Sequence, residues 1–187
     1  MEKTENVIEN AVDIGGKENI SDHELTLLKT AALLHDVGFL KTYSGHEDAS
    51  CDFAKENLPK FNYSEIEIEA ICEMILATKV PQNPKNKLSE ILCDADVFYL
   101  GSDSYGESSE KLFSELTANG FLKTATEFHK KQIDFLNSHN YFTATAIAER
   151  NQKKLQNKAK LVSVKHPKKI KKTHTNEQIQ DFFSVVL

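Results

Sequence analysis

The sequence has no long apolar run, few cysteines and no strand-like alternation. Without an apolar run of about 20 residues it offers no membrane-spanning segment, and its charged residues 1–5 do not form a signal peptide. The three cysteines, Cys51, Cys72 and Cys93, include no Cys-x-x-Cys pair. An odd number of cysteines set in apolar, helix-like patterns argues against a disulfide framework. We therefore expect reduced core thiols in a cytoplasmic protein.

Apolar residues recur at helical spacing in one segment after another, and no internal repeat is visible, so we predict an all-α fold. Ser44 and Ser64 each precede a glutamate by three residues, which is the spacing of a capping box, and Ser21 or Asp22 is expected to cap another helix. We expect a first helix to end at residues 15–16, which are both glycine. The one β-like stretch is short, at residues 161–164.

The chain of 187 residues, 40% apolar and with a formal net charge of -5, is long enough for one soluble domain with a sizeable core. Its charge is unevenly distributed, because residues 150–175 are basic throughout. We assign residues 1–150 to a helical domain that carries the site and residues 151–187 to a basic tail with a short amphipathic helix.

The apolar face of that terminal helix needs a surface, on this domain, on a second copy of the chain or on a partner domain. Lysines dominate the tail and attract polyanions without specificity. Because no aromatic residues are interleaved with these lysines, specific nucleic-acid binding is not expected.

The segment TAALLHDVG, residues 30–38, places an adjacent histidine and aspartate in an apolar run. Burying both groups is costly unless something satisfies them, and a divalent metal would do so. Two further motifs follow, GHEDAS at residues 45–50 and ILCDADVFYLG at residues 91–101. In order and spacing the three motifs resemble the HD-domain metal-dependent phosphohydrolases. The resemblance covers residues 4–105, and less closely extends to residue 150.

The resemblance implies a compact helical HD bundle and a metal-activated water that attacks a nucleotide-type phosphate ester. It assigns His35, Asp36 and Asp96 as ligands of a divalent ion, which could be manganese, iron, nickel, zinc or magnesium. Asp96 or Asp94 would accept the proton of the water, and His46 or Lys79 would hold the phosphate.

Two other residues remain candidates for smaller roles. Lys41 could also contact the phosphate, although each lysine alone is typical of a solvated surface. We expect Asp94 to be a solvated surface carboxylate; the alternative is that it orients a metal ligand.

One position departs from the family pattern. Where the family has a further histidine ligand on the first helix, this sequence has Lys3, and an ammonium cannot donate a lone pair to a metal. His23 is no substitute, because twelve helical residues before His35 correspond to about 18 Å. Either the sequence is a piece of a longer protein, or the domain has lost a ligand and serves as a regulatory or sensory module. Phe39 stands where some nucleotide-hydrolysing relatives carry an acid, which argues against those branches, and the branch stays unassigned. Lys3 leaves the enzymatic activity open.

Overall fold

The computed structural model describes residues 2–163, which form eight α-helices without a strand. In chain order the helices are α1 (Glu2–Lys17), α2 (Asp22–Leu34), α3 (His46–Asn57), α4 (Glu65–Ala77), α5 (Lys87–Asp96), α6 (Tyr105–Ala118), α7 (Ala125–Ser138) and α8 (Ala144–Ser163). Three 3-10 turns connect them, at Val37–Leu40, Leu58–Phe61 and Phe98–Gly101. The predicted all-α fold is confirmed.

The first five helices form the bundle that carries the site. Helix α1 packs on α2 and α5, and α4 packs on α2, α3 and α5. Their apolar stripes meet in one core, whose fully buried side chains include Ala11, Ile14, Leu28, Ala31, Ile71, Ile75 and Leu92. Helix α8 packs against the turn Phe98–Gly101 and against α7. A smaller apolar cluster joins α6 to α7 through Leu116, Leu122 and Phe128.

The predicted tail falls mostly outside this description. Residues 164–187, including the predicted terminal helix, lie beyond the described part of the chain. Helix α8 runs across residue 150, so the proposed division between residues 150 and 151 falls within a helix and stays a prediction. None of the helices in residues 2–163 combines the length and apolar character that a membrane crossing requires.

Capping chemistry explains two helix starts. The hydroxyl groups of Ser21 and Ser64 each accept the backbone N–H of the glutamate three residues on, and the carboxylate of that glutamate accepts the backbone N–H of the serine, which completes a capping box. The box predicted at Ser44 is wrong. Helix α3 begins at His46 and its N-cap is Gly45, which has a left-handed φ of 70° and makes no side-chain cap.

The glycine pair at residues 15–16 does not end α1, which continues to Lys17. A Cβ on Gly15 would lie 2.8 Å from the Cδ1 atom of Ile20, so this glycine serves close packing rather than termination. The β-like residues 161–163 belong to α8, where helical context overrides the local preference. Helix α2 ends at Leu34, one residue before the histidine that it was expected to carry.

Candidate metal centre and adjoining cavity

His35 and Asp36 follow directly on α2 and face into the bundle. His35 is the C-cap residue of α2. Its Nδ1 atom lies 2.7 Å from the carbonyl oxygen of Ala32, and this hydrogen bond fixes the orientation of the imidazole ring. Its Nε2 atom is then left 3.2 Å from Oδ2 of Asp36 and 3.4 Å from Oδ1 of Asp96. The structure therefore brings together the three residues that the resemblance assigned as ligands.

Helix α3 holds the His-Asp turn in place. The Ser50 hydroxyl donates to the carbonyl of His35 at 2.8 Å and accepts the backbone N–H of Gly38, also at 2.8 Å. A Cβ on Gly38 would lie 1.9 Å from the carbonyl oxygen of His46. Only glycine allows the turn to approach the start of α3 this closely, so Gly38 is required for packing rather than for ending a helix.

Lys3 lies in the first turn of α1 and reaches both carboxylates. Its Nζ atom is 2.9 Å from Oδ2 of Asp36 and 3.4 Å from Oδ1 of Asp96, the same two oxygens that face His35. The side chain of Asp96 is fully buried, whereas that of Lys3 is 48% exposed. Position 3 thus faces the cluster, as the comparison with the family motif predicted, but it brings a positive charge instead of a ligand.

The charges in this cluster stabilise one another. Burial alone would lower the pKa of His35, but Asp36 and Asp96 outweigh burial and raise that pKa to about 10. Burial likewise opposes ionisation of Asp36, but Lys3 and His35 hold its pKa far below the usual range. The pKa of Lys3 is raised, because the two carboxylates outweigh burial. Two cations and two anions therefore balance without any further ion.

His46 lies beside this cluster at the start of α3. Its Nε2 atom is 3.6 Å from Oδ1 of Asp36, and its ring is stacked on Phe39 with the centroids 3.8 Å apart. Burial lowers the pKa of His46, so this imidazole stays neutral near pH 7. His46 is thus placed next to the predicted ligands, but whether it contacts a phosphate stays a prediction.

The sequence suggested only a capping role for Glu47 and missed its place in the site, where its side chain is 1% exposed. Its Oε2 atom lies 3.5 Å from Nδ1 of His46, and burial raises the pKa of the carboxyl group to about 7. A signal was available, because Glu47 and the buried Ser50 are three residues apart and share one face of α3.

The two predicted lysines do not join the cluster. Lys79, just after α4, pairs with Asp48 at 3.5 Å, and both side chains are largely exposed. Lys41 is exposed at the end of the turn Val37–Leu40. Neither lysine lines the cavity described below.

The expectation that Asp94 is solvated is wrong, because this residue is completely buried. Its carboxylate accepts the N–H of Phe142 at 2.9 Å, and the N–H and hydroxyl of Thr143 at 2.8 and 2.7 Å. Asp94 therefore joins α5 to the start of α8. The sequence did not reveal this, because its partners lie about fifty residues away.

A cavity of about 490 Å³ opens next to the cluster, between α1, the end of α5 and α6. Lys3, Asp36 and Asp96 form one end of it. The rest is lined by apolar, aromatic and polar side chains, among them Asn6, Phe39, Tyr43, Tyr99, Leu112 and Glu115. This volume is typical of sites for small organic ligands.

The donor set gives a mixed answer to whether a divalent ion fits. In favour, the Nε2 atom of His35 and both carboxylate oxygens of Asp96 are buried without a hydrogen-bond partner in the described chain. Against it, the ammonium of Lys3 already contacts Asp36 and Asp96. Within residues 2–163, no group of three or more histidine, cysteine, aspartate or glutamate side chains is arranged to hold a metal. As folded, with Lys3 on the carboxylates, the cluster does not fit a resident ion.

Comparison with protein-family models identifies the family of this chain. A family model described as HD domain matches residues 2–100, from the start of α1 to the turn Phe98–Gly101. This chain belongs to the HD domain family. HD domains generally bind divalent metals, and HD hydrolases act on phosphate esters. None of the curated proteins compared with this chain matches it.

The HD domain also resembles a solved structure. A crystal structure described as that of a predicted HD superfamily hydrolase from an uncultured Thermotogales bacterium superimposes with a TM-score of 0.55. The two sequences are 20% identical, and the match covers 87% of this chain and 75% of the other. At that identity the likeness shows a shared fold and extends beyond residue 100 into the later helices.

Proposed function

We propose that this HD domain works as a regulatory or sensory module that binds a small molecule without a resident metal. The observation that carries the proposal is the position of Lys3, whose ammonium contacts both Asp36 and Asp96. A cation supplied by the chain itself neutralises the carboxylates that the family resemblance assigns to an ion. A second cation placed among them would be repelled by the ammonium.

The cluster remains useful without hydrolysis. Its ion pairs fix the end of α1 against the His-Asp turn and α5, next to a cavity that a ligand can fill. A ligand bound in the cavity would contact both α1 and α6. A cytoplasmic location, and docking of the terminal helix on a partner, remain predictions that fit such a module.

Metal-dependent hydrolysis of a nucleotide-type phosphate ester is the second candidate. It is favoured by the buried side chains of His35 and Asp96 beside Asp36, because Nε2 of His35 and both oxygens of Asp96 have no hydrogen-bond partner in the described chain. His35 would have to lose its proton before Nε2 could bind an ion. In that case His46 would orient the phosphate next to Asp36, and Lys79 would have to leave Asp48 to take part. The candidate requires the Lys3 side chain to swing away, which its partial exposure permits.

Elemental analysis of the full chain and of the Lys3→His variant, both loaded with Mn²⁺ and then dialysed, distinguishes the two candidates. We expect little metal in the unmodified chain, and at least about tenfold tighter Mn²⁺ binding in the variant, because a lone pair replaces the ammonium. Lys17→His is the matched control, since Lys17 lies on the same helix but pairs with Asp13 and Glu149 instead.

A panel of phosphate esters, including nucleotides, is assayed in parallel with Mn²⁺ present. The proposal expects no turnover by the unmodified chain. Near-stoichiometric Mn²⁺ together with hydrolysis in the unmodified chain would overturn it in favour of the second candidate. If Lys3→His gains no more metal than Lys17→His, position 3 is not the lost ligand position and the proposal also fails.

A further inference from the structure

We infer that the cavity beside the cluster binds a nucleoside-type ligand, a flat nitrogen heterocycle that is neutral or cationic and carries N–H donors, in preference to its phosphate ester. The inference rests on the proposed function, because it assumes that no metal adds positive charge. Three observations support it: the aromatic lining of the cavity, the excess of carboxylates around it, and the buried carboxylate oxygens that accept no hydrogen bond.

The shape and surface of the cavity suit a flat ring. Three aromatic residues line it, Phe39, Tyr43 and Tyr99, and Tyr43 also contacts the ring of Phe121 with the centroids 5.0 Å apart. Aromatic faces bind the faces of heterocycles by stacking. Apolar side chains from α1 and α6, including Val7 and Leu112, supply the remaining wall.

The charge on the lining opposes an anion. Four carboxylates line the cavity, from Asp36, Asp96, Glu107 and Glu115, against the two ammonium groups of Lys3 and Lys111. Lys3 is engaged by the cluster carboxylates, and Lys111 pairs with Glu107 at 3.1 Å. Even when the protonated His35 behind Asp36 and Asp96 is counted, the carboxylates exceed the cations by one. This excess negative charge repels a phosphate but does not repel a neutral or protonated base.

The buried carboxylate oxygens that accept no hydrogen bond favour a ligand with hydrogen-bond donors. The Oδ1 atom of Asp36 and both carboxylate oxygens of Asp96 are buried and accept no hydrogen bond within the described residues. These atoms can only accept, so a ligand satisfies them with N–H groups and not with phosphate oxygens. The side chain of Asp36 is 16% exposed and that of Asp96 is fully buried, so a ligand reaches Asp36 first and must displace neighbouring side chains to reach the buried oxygens. Asn6 adds a side-chain amide along the same wall of α1.

Calorimetric titration of the full chain tests the inference in buffer containing EDTA. The probes are adenosine, guanosine, cytidine and uridine, each compared with its own 5′-monophosphate. We expect at least one nucleoside to bind, and its monophosphate to bind about fivefold more weakly or worse, because the phosphate meets the acidic lining.

Two glutamate variants on α6 make a matched pair. Glu115→Gln removes one negative charge from the lining and should reduce the difference in binding affinity between a nucleoside and its monophosphate. Glu110→Gln removes a charge from an exposed position that does not line the cavity, and should leave the difference unchanged.

The outcomes separate the failure of this inference from that of the proposed function. If no nucleoside binds, or if the monophosphate binds more tightly in EDTA, the inference is wrong while a metal-free module remains possible. If the monophosphate is preferred only after Mn²⁺ is added and the preference disappears with EDTA, an ion supplies the missing positive charge. That result would overturn the proposed function and the inference with it.

Discussion

Lys3 and Asp36 lie 33 positions apart in sequence, yet the ammonium of one is 2.9 Å from the carboxylate of the other. The contact joins the first turn of α1 to the turn that follows α2, and it extends to Asp96 at the end of α5. The ammonium of Lys3, together with the His35 imidazolium, thus balances the two carboxylates, and the contacts tie three separate elements together. HD domains generally bind a divalent metal, and under the proposed function the ammonium of Lys3 takes the place of that ion.

Replacing Lys3 with methionine should destabilise the fold, because Asp36 and Asp96 would lose one of their two counter-charges and keep only His35. Breaking a fully buried pair costs about 3–5 kcal/mol, and the half-exposed lysine reduces our expectation to about 1–2 kcal/mol. Urea unfolding of the variant measures this. Lys17→Met, which breaks only exposed pairs on the same helix, should cost no more than about 0.5 kcal/mol.

A double-mutant cycle separates the contribution of the Lys3–Asp36 ion pair to stability from the effect of the substitution on helix propensity. In an Asp36→Asn background, Lys3→Met should cost clearly less than in the unmodified chain. Equal costs in both backgrounds would mean that the ion pair does not form in solution.

Gly38→Ala should be among the most damaging single-methyl additions in the chain. The new Cβ would lie 1.9 Å from a backbone oxygen of His46 and 2.8 Å from the backbone nitrogen of Ser50, neither of which can rotate away. We expect a loss of about 3 kcal/mol or more in thermal or urea unfolding. Gly106→Ala is the matched control, because nothing lies within 4 Å of a Cβ there. It should be neutral or stabilising by up to about 1 kcal/mol; equal damage at both positions would refute the steric account.

Local chemistry made parts of this fold predictable. The cap at Ser21 and the capping box at Ser64 were predicted from residues close together in sequence, although the same spacing failed at Ser44, where Gly45 precedes α3. The helical spacing of apolar residues predicted the fold class. The glycines were harder, because a glycine that ends a helix and one that permits a close approach look alike in sequence. Gly38 and Gly15 proved to be of the second kind.

The candidate site was predictable where motifs carried it and not elsewhere. His35, Asp36 and Asp96 converge as their motifs implied. The wall from α6 was missed because it belongs to no motif, although Glu107, Lys111 and Glu115 recur every four residues on one helical face. Burial of Asp94 depends on backbone groups of α8, which no local pattern reveals.

Asp94→Ala should loosen the junction between α5 and α8. The substitution leaves the N–H groups of Phe142 and Thr143 without their acceptor, and each unsatisfied buried donor costs about 1–3 kcal/mol. We expect a total loss of at least about 2 kcal/mol in urea unfolding. Asp52→Ala, at an exposed position of α3, should stay within about 0.5 kcal/mol of the unmodified chain. A loss no greater than that of the Asp52 variant would show that water replaces the carboxylate at no cost.

His139 should make the stability of the fold depend on pH in the acidic range. The imidazole is buried, and its Nδ1 atom lies 3.2 Å from the ammonium of Lys154. Burial, assisted by Lys154, lowers the pKa of His139 to about 3, compared with 6.5 for an unperturbed histidine. Between these values the unfolded chain binds a proton that the folded chain does not. The contribution of neutral His139 is therefore fully present above pH 6.5 and is lost as the pH falls toward 3.

At pH 4.5, two units below the unperturbed value, this linkage amounts to about 2–3 kcal/mol. His139→Gln removes the titration, so the difference in unfolding free energy between the variant and the unmodified chain should change by that amount between pH 7 and pH 4.5. His23→Gln is the control for removing an imidazole, because the His23 side chain is 66% exposed. If the unfolding free energy of His139→Gln changes with pH in the same way as that of the unmodified chain, Lys154 and burial do not hold this imidazole neutral.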